Sequence, residues 1–145
     1  MRKQFIRCKN LYVAKNLRHL RTVHKLAQNR ISDQLTIERS TYTYYELGKT
    51  EPSVSSITKI IEFYNNELGL TLTFDDMLGK SLVDEGIPMR FADDDAVYQF
   101  LSKKNEEFED SMDFYEWLKD WATKFVICVG KEVEIKSYEE FIEFE

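Results

Sequence analysis

Cysteine, proline and glycine are scarce in this sequence, with two, two and five copies among 145 residues. Cys8 and Cys128 lie too far apart to indicate a disulfide framework or a metal-ligand motif, so a reducing compartment is the simplest expectation. Residues 1–10 lack the apolar core of a signal peptide, and no apolar run approaches the roughly 20 residues that span a bilayer. We therefore expect a soluble, cytoplasmic protein.

Patterns that would indicate catalysis are also missing. The sequence has no HExxH, no glycine-rich phosphate loop and no Cys/His or Ser/His/Asp constellation, and His19 and His24 are expected to be plain surface residues. Three consecutive aspartates, Asp93 to Asp95, have no second set of ligands beside them, so they favour a helix N-terminus over a metal site. We predict a protein that is not an enzyme and uses no cofactor or metal.

Charge divides the chain into two parts. Residues 1–80 contain 13 Lys/Arg and 8 Asp/Glu, a net of +5, whereas residues 81–145 contain 7 and 18, a net of −11. A basic half suits a polyanion such as DNA, because phosphate neutralisation drives non-specific affinity; a solvated basic surface is the simpler alternative. We predict two domains, 1–80 and 81–145.

Residues 17–53 read as two short helices joined by a tight turn. Apolar residues recur there at helical spacing, namely Leu17, Leu20, Leu26, Ala27, Ile31 and Leu35. The chain turns over Leu35–Glu38, and a short helix over Arg39–Glu46 is stopped by Gly48. Two helices joined in this way can place the second one in a DNA major groove.

The arrangement resembles the lambda-repressor/Cro-like helix-turn-helix family, also called the XRE family, over roughly residues 11–78. The residues that carry the resemblance are Asn16-Leu17-Arg18, Leu20-Arg21, Leu26-Ala27-Gln28, Arg39-Ser40-Thr41, Tyr45-Glu46-Leu47-Gly48-Lys49 and Pro52-Ser53. The resemblance implies a five-helix DNA-binding domain. The chain departs from the family pattern at four positions, with Ala27 for a capping Ser or Thr, Thr36 for a turn glycine, Tyr42 for a small aliphatic residue and Leu47 for a polar one.

The helix over residues 39–46 is the predicted reading helix. Arg39 and Ser40 lie on its first turn, and Thr43 and Tyr44 lie one turn later on the same side. An arginine can form a bidentate contact with guanine, and a threonine methyl can meet a thymine methyl. For Tyr44, DNA contact and inward packing are equal alternatives. Two further tyrosines of the helix are expected to pack inward: Tyr42 and Tyr45.

Backbone contacts and one internal ion pair complete the predicted interface. Gln28 begins the second helix, where its amide and the helix N-terminus both favour a phosphate, as the matching glutamine does in the family; a surface role without function is the alternative. Lys49 and Thr50 are predicted to hold phosphate after the reading helix. The resemblance implies that Arg21 pairs with Glu46 and so ties the first helix to the third.

The remaining segments of the first half are less distinctive. Residues 1–10 are basic and allow two interpretations, an arm that reaches along DNA or a frayed terminus. Asn10 is a suitable N-cap for a helix over Leu11–Val23. Other predicted segments are, in order, a helix from 53 through 64, a short helix over 73–78 and a linker over 82–92.

The acidic half is predicted to be a compact α+β domain, and its sequence resembles no known family. Trp117 and Trp121 lie four apart on one helix face, which favours a hydrophobic anchor over a ligand cage. The predicted elements are, in order, a helix over 93–104, a helix over 111–125, a buried strand over 125–129, a hairpin turn at Gly130-Lys131 leading into 132–135, and a final helix containing Tyr138, Phe141 and Phe144.

These patterns together predict a mainly α protein: a five-helix helix-turn-helix domain followed by a small acidic α+β domain. We interpret it as a sequence-specific transcriptional regulator, a repressor, that binds double-stranded DNA as a homodimer through its acidic domain. The alternative is an interaction or inhibitor protein of phage or mobile-element type. In that case the acidic domain binds a protein partner, and the first domain regulates the protein's own gene.

Overall fold

The computed structural model describes residues 2–130 of the chain, with side chains described from residue 12 onward. Two compact units are present, the first ending at Ile87 and the second beginning at Pro88. This division lies seven residues beyond the predicted boundary at residue 80. The reason is that Leu82 and Ile87 are fully buried in the described structure, so their segment packs with the first unit.

The first unit consists of helices. In order they are α1 (Arg2–Val23), α2 (Gln28–Leu35), α3 (Arg39–Leu47), α4 (Val54–Leu68), α5 (Phe74–Leu78) and α6 (Leu82–Glu85). Helix α1 begins at Arg2, so the prediction that Asn10 caps a helix starting at Leu11 is wrong. Residues 2–10 contain no proline or glycine, and nothing in this stretch interrupts the helix.

The core of the first unit forms where α1 packs against α3 and α5. Leu17 and Leu20 on α1 are fully buried, and so is Ile31 on α2. On α3, Tyr42 and Tyr45 are buried, which confirms the prediction that they pack inward. The large Tyr42 side chain therefore fills core space at a position where the family usually has a small residue.

The turn between α2 and α3 contains a strained residue. Thr36 adopts the left-handed conformation, with φ 56° and ψ 46°. Its N–H donates to Asp33 O at 3.2 Å, and the N–H of Ile37 donates to Ser32 O at 2.9 Å, which closes α2 in a Schellman motif. Left-handed backbone is unfavourable for a β-branched residue, which explains why glycine is usual at this position.

A buried asparagine attaches the end of the first unit to α1. The side chain of Asn16 is fully buried. Its Nδ2 donates to Met77 O and Lys80 O, both at 2.8 Å, while Leu82 N–H donates to Asn16 Oδ1 at 2.9 Å. The stretch from the end of α5 to the start of α6 is thus held by one buried side chain that satisfies three backbone groups.

The predicted linker over 82–92 is regular structure instead. It contains α6 and strand β1 (Ile87–Phe91). Ser81 caps α6 by accepting a hydrogen bond from Asp84 N–H at 3.2 Å. Gly86 and Pro88 indicated a loop, but the apolar residues around them are buried, and burial outweighs local composition here.

The second unit contains α7 (Asp94–Asn105), α8 (Ser111–Lys124) and β2 (Phe125–Val129), which pairs with β1 in a two-stranded sheet. The predicted helices and the strand over 125–129 are confirmed as elements, but the prediction that this strand is buried is wrong, because Val126 and Ile127 are exposed. Asp93 is the N-cap of α7 and accepts from Ala96 N–H at 2.9 Å, which accounts for one of the three aspartates. The predicted hairpin partner over 132–135 and the final helix lie outside the described residues.

Aromatic rings form a continuous stack along α8. Successive centroids are 6.0 Å apart for Phe114 and Trp117, 5.9 Å for Trp117 and Trp121, and 5.0 Å for Trp121 and Phe125. The last pair is nearly parallel, at 7°. Because residues three or four apart share a helix face, the sequence spacing positions Phe114, Trp117 and Trp121, whereas Phe125 joins the stack as the first residue of β2. Within α8, Trp121 is the buried residue.

Two further properties of the described residues 2–130 follow from the structure. None of their helices has the length and apolar character needed to cross a bilayer. Their His, Cys, Asp and Glu side chains form no group of three or more that could hold a metal ion.

Candidate nucleic-acid interface

Helix α3 is buried on one side and open on the other. Tyr42, Tyr45 and Glu46 are the buried residues of the helix. Arg39 and Ser40, on the first turn, are exposed. The helix therefore presents a polar, basic surface while its opposite side is fixed in the core.

A bidentate ion pair fixes α3 to α1. Arg21 Nε donates to Glu46 Oε2 at 2.6 Å, and Arg21 Nη2 donates to Glu46 Oε1 at 2.9 Å. Arg21 Nη1 also donates to Leu26 O at 3.0 Å. The Glu46 side chain is only 4% exposed, against 16% for Arg21. Two parallel bonds in a shielded site define orientation as well as distance.

The electrostatics of the pair favour its charged form. Burial opposes ionisation of Glu46, but hydrogen bonds donated by Arg21 and Gln28 outweigh it and hold the pKa of Glu46 below its ordinary value. The hydrogen bond to Glu46 correspondingly raises the pKa of Arg21. The carboxylate is consequently an acceptor at neutral pH.

Two predicted DNA-binding residues are joined to this pair. Gln28 Nε2 donates to Glu46 Oε1 at 3.0 Å, and Thr43 Oγ1 donates to Gln28 Oε1 at 2.9 Å. Gln28 and Thr43 are both half-buried. Sequence reasoning treated them as independent surface groups. It missed this connection because no local pattern links residues 15 positions apart on different helices.

The other predicted contact residues lie at the exposed end of α3 and just beyond it. Tyr44 is 47% exposed, so the alternative of inward packing is wrong for this residue. Lys49 Nζ lies 5.7 Å from the centroid of the Tyr44 ring, within the range of a cation–π contact. Lys49 and Thr50 are both exposed.

The prediction that His24 is a plain surface residue is wrong. It is half-buried, and its Nδ1 lies 2.8 Å from Leu20 O. Burial lowers the pKa of His24. The ring also lies near Tyr64, with centroids 5.7 Å apart, so it is part of the packing around the end of α1.

Comparison with known proteins gives one family match, in the first unit. Residues 17–70 match the family model described as helix-turn-helix, HTH_3, which confirms the predicted resemblance to the lambda-repressor/Cro-like, or XRE, family over this part of the chain. Among solved structures, the chain is similar to the crystal structure of a transcriptional regulator from Listeria innocua. The identity is 22% and the TM-score 0.41, with 74% of this chain and 89% of that chain covered. A comparison with curated proteins gives no match.

Proposed function

We propose that this protein is a sequence-specific DNA-binding transcriptional regulator, acting as a repressor, that reads the major groove with α3. The observation that carries the proposal is the two-sided character of α3. Its buried side is fixed through Glu46 and the core tyrosines, while Arg39 and Ser40 remain exposed. A rigid helix with an open polar surface is what direct readout of base edges requires.

Arg39 is the proposed main base-reading residue. It is exposed at the first turn of α3, and arginine commonly forms a bidentate contact with guanine O6 and N7. Ser40 and Thr43 are proposed as further contacts. We also assign Tyr44 to the DNA surface, because its ring is exposed and lies beside the Lys49 ammonium.

Phosphate contacts are proposed at both ends of the helix-turn-helix. At the start of α2, residue Ala27 provides no side-chain cap, so a phosphate there would satisfy helix N–H groups that lack a side-chain acceptor. Gln28 has a second amide hydrogen beyond the one bonded to Glu46. After α3, the exposed Lys49 and Thr50 are proposed to contact the phosphate backbone of DNA.

We further propose that the protein acts as a homodimer, with contacts from the second unit. A single helix-turn-helix unit buries little DNA surface, and specific sites are usually read by two units about 34 Å apart. The second unit exposes several large apolar side chains that suit a protein contact: Met112, Tyr115, Val126 and Ile127. Light scattering of the full chain at tens of micromolar tests this. A dimer supports it, and a monomer favours the alternative in which the acidic unit binds a different protein.

The proposed function is tested by selecting bound duplexes from a random pool with the full-length protein. We expect the wild type to enrich one motif. Arg39→Ala should lose about 1–3 kcal/mol at that motif and relax the preference at one base pair, as expected when a bidentate contact is lost.

Lys103→Ala is the matched control, because Lys103 is exposed on α7 in the other unit and should leave the motif unchanged. Circular dichroism of each variant establishes that the helices are retained. Failure of the wild type to enrich any motif would contradict the proposal, as would an unchanged motif in Arg39→Ala.

A further inference from the structure

We propose that the Thr43 hydroxyl acts toward DNA only as a hydrogen-bond acceptor, so that an amino-bearing base, adenine or cytosine, is favoured over guanine at the position it faces. This inference rests on the proposed function and specifies the base chemistry that α3 selects at one position. It depends on the polarity of a chain of hydrogen bonds that runs from Arg21 through Glu46 and Gln28 to Thr43.

The first step fixes the orientation of the Gln28 amide. Glu46 Oε1 already accepts from Arg21 Nη2 at 2.9 Å, and Gln28 lies 3.0 Å from the same oxygen. An ionised carboxylate has no hydrogen to donate, so Gln28 must present its NH2 group there. The reverse orientation would place two oxygens in repulsive contact. The Gln28 oxygen therefore faces Thr43.

The second step fixes the Thr43 hydroxyl. Its Oγ1 lies 2.9 Å from Gln28 Oε1. An amide oxygen only accepts, and a hydroxyl has a single hydrogen, so that hydrogen is committed to Gln28. What Thr43 can still offer is the remaining lone-pair capacity of its oxygen and its γ-methyl group. It has no donor left for a base.

The third step follows from the major groove itself. Guanine presents only acceptors there, N7 and O6, whereas adenine presents the N6 amino group and cytosine the N4 amino group. A side chain without a donor cannot satisfy guanine, and a desolvated acceptor that meets another acceptor is penalised. Thr43 thus excludes guanine and accepts from an amino group. Glu46 and Gln28 act as positioning residues for this selection.

Replacement of Thr43 or Gln28 in the full-length protein tests the inference with the same random duplex pool. Thr43→Val keeps the shape but removes the hydroxyl. At one position of the motif, we expect the affinity ratio of an amino-bearing base to guanine to decrease about fivefold to tenfold. Gln28→Met removes the acceptor that holds the Thr43 hydrogen. The hydroxyl can then donate, so guanine should become tolerated at that same base pair.

Two further variants separate the acceptor role of the hydroxyl from a contact made by the Thr43 methyl group and from a phosphate contact made by Gln28. Thr43→Ser keeps the hydroxyl and loses the methyl group, so it should retain the amino preference. The double variant Gln28→Met/Thr43→Val should show no gain of guanine tolerance, because no hydroxyl remains. A uniform loss of affinity in Gln28→Met, without a change at the Thr43-dependent base pair, would mean that Gln28 acts on phosphate alone and would overturn the inference.

The outcomes also distinguish this inference from the proposed function. If the wild type enriches a motif, and Thr43→Val and Gln28→Met enrich the same motif with the same base preferences, the acceptor-only role is overturned. The proposed regulator function would still stand in that case. Loss of the preference in Thr43→Ser would also overturn it, because a methyl contact would then be responsible. Absence of any enriched motif with the wild type would overturn both.

Discussion

The two units of this protein use polar side chains in different ways. In the first unit, Asn16 and Glu46 are buried, and each is bonded to several partners on other segments. In the second unit, ion pairs such as Lys124–Asp120 join neighbouring turns of one helix and are well exposed, at 36% and 65%. Buried polar groups define the position of one helix against another, whereas exposed pairs contribute little to stability.

The apolar contacts differ as well. The first unit buries whole side chains such as Leu17, Ile31 and Tyr42. In the second unit, the α8 rings stack on one another, and of the α8 residues only Trp121 is buried. Spacing along α8 positions three of these rings, and Trp121 also contacts Phe100 on α7 and Phe125 on β2. A buried core requires segments from distant parts of the chain, and it is this core that fixes the proposed reading helix.

The largest expected effect is the loss of the buried carboxylate. Glu46→Ala should lower the free energy of unfolding by about 3–5 kcal/mol, because Arg21 is left shielded without its partner. Asp120→Ala, which removes the exposed partner of Lys124, should cost less than about 1 kcal/mol. Urea unfolding followed by far-ultraviolet circular dichroism measures both. Equal destabilisation by the two variants would remove the distinction between the units.

Asn16 provides a second comparison of buried and exposed polar groups. Asn16→Leu should cost about 3 kcal/mol, since it leaves the Met77 and Lys80 carbonyls and the Leu82 N–H without their partner. Asn66→Leu is the control, because Asn66 is exposed on α4. Both tryptophans lie in the second unit, so tryptophan fluorescence reports on that unit. A loss of circular dichroism at lower urea than the fluorescence change would therefore assign the destabilisation to the first unit. A small, equal effect of both variants would contradict the structural role of Asn16.

Acid should weaken the first unit through Glu46. The folded-state pKa of Glu46 is held below its ordinary value of 4.5, so its contribution to stability is present above about pH 4.5 and is lost as the pH falls through the folded-state value. We expect the urea concentration at the unfolding midpoint of the wild type to decrease as the pH is lowered below about 4.5. Glu46→Gln should show a smaller dependence over the same range, and an identical dependence would exclude Glu46 as the cause.

The smallest expected effect is a gain in stability, at the turn between α2 and α3. Thr36→Gly should raise the free energy of unfolding by about 1 kcal/mol, because glycine adopts the left-handed conformation at φ 56° without the steric cost that threonine bears. Glu62→Gly, at an exposed interior position of α4, should instead destabilise by a similar amount. A destabilised Thr36→Gly variant would show that the threonine side chain makes a contact worth more than the strain.

Sequence periodicity predicted most of the helices, because α2, α3 and α8 each have a distinct apolar face. It failed at Arg2, the start of α1, since no sequence signal distinguishes a helix that continues from one that begins at a good cap. It failed over residues 82–92, where burial of Leu82 and Ile87 overrides a glycine and a proline. The contact between Gln28 and Thr43 needed the packed helices, because the two residues are joined only in three dimensions.

The salt dependence of DNA binding tests the central claim most directly. The full-length protein is titrated onto its selected duplex between about 50 and 200 mM salt, with Lys49→Ala and Lys103→Ala as paired variants. We predict that the logarithm of the association constant falls linearly with the logarithm of salt concentration. Lys49→Ala should reduce the magnitude of that slope by about 1, and Lys103→Ala should leave it unchanged. Binding without salt dependence, or an equal slope change in the two variants, would contradict a DNA surface on the first unit.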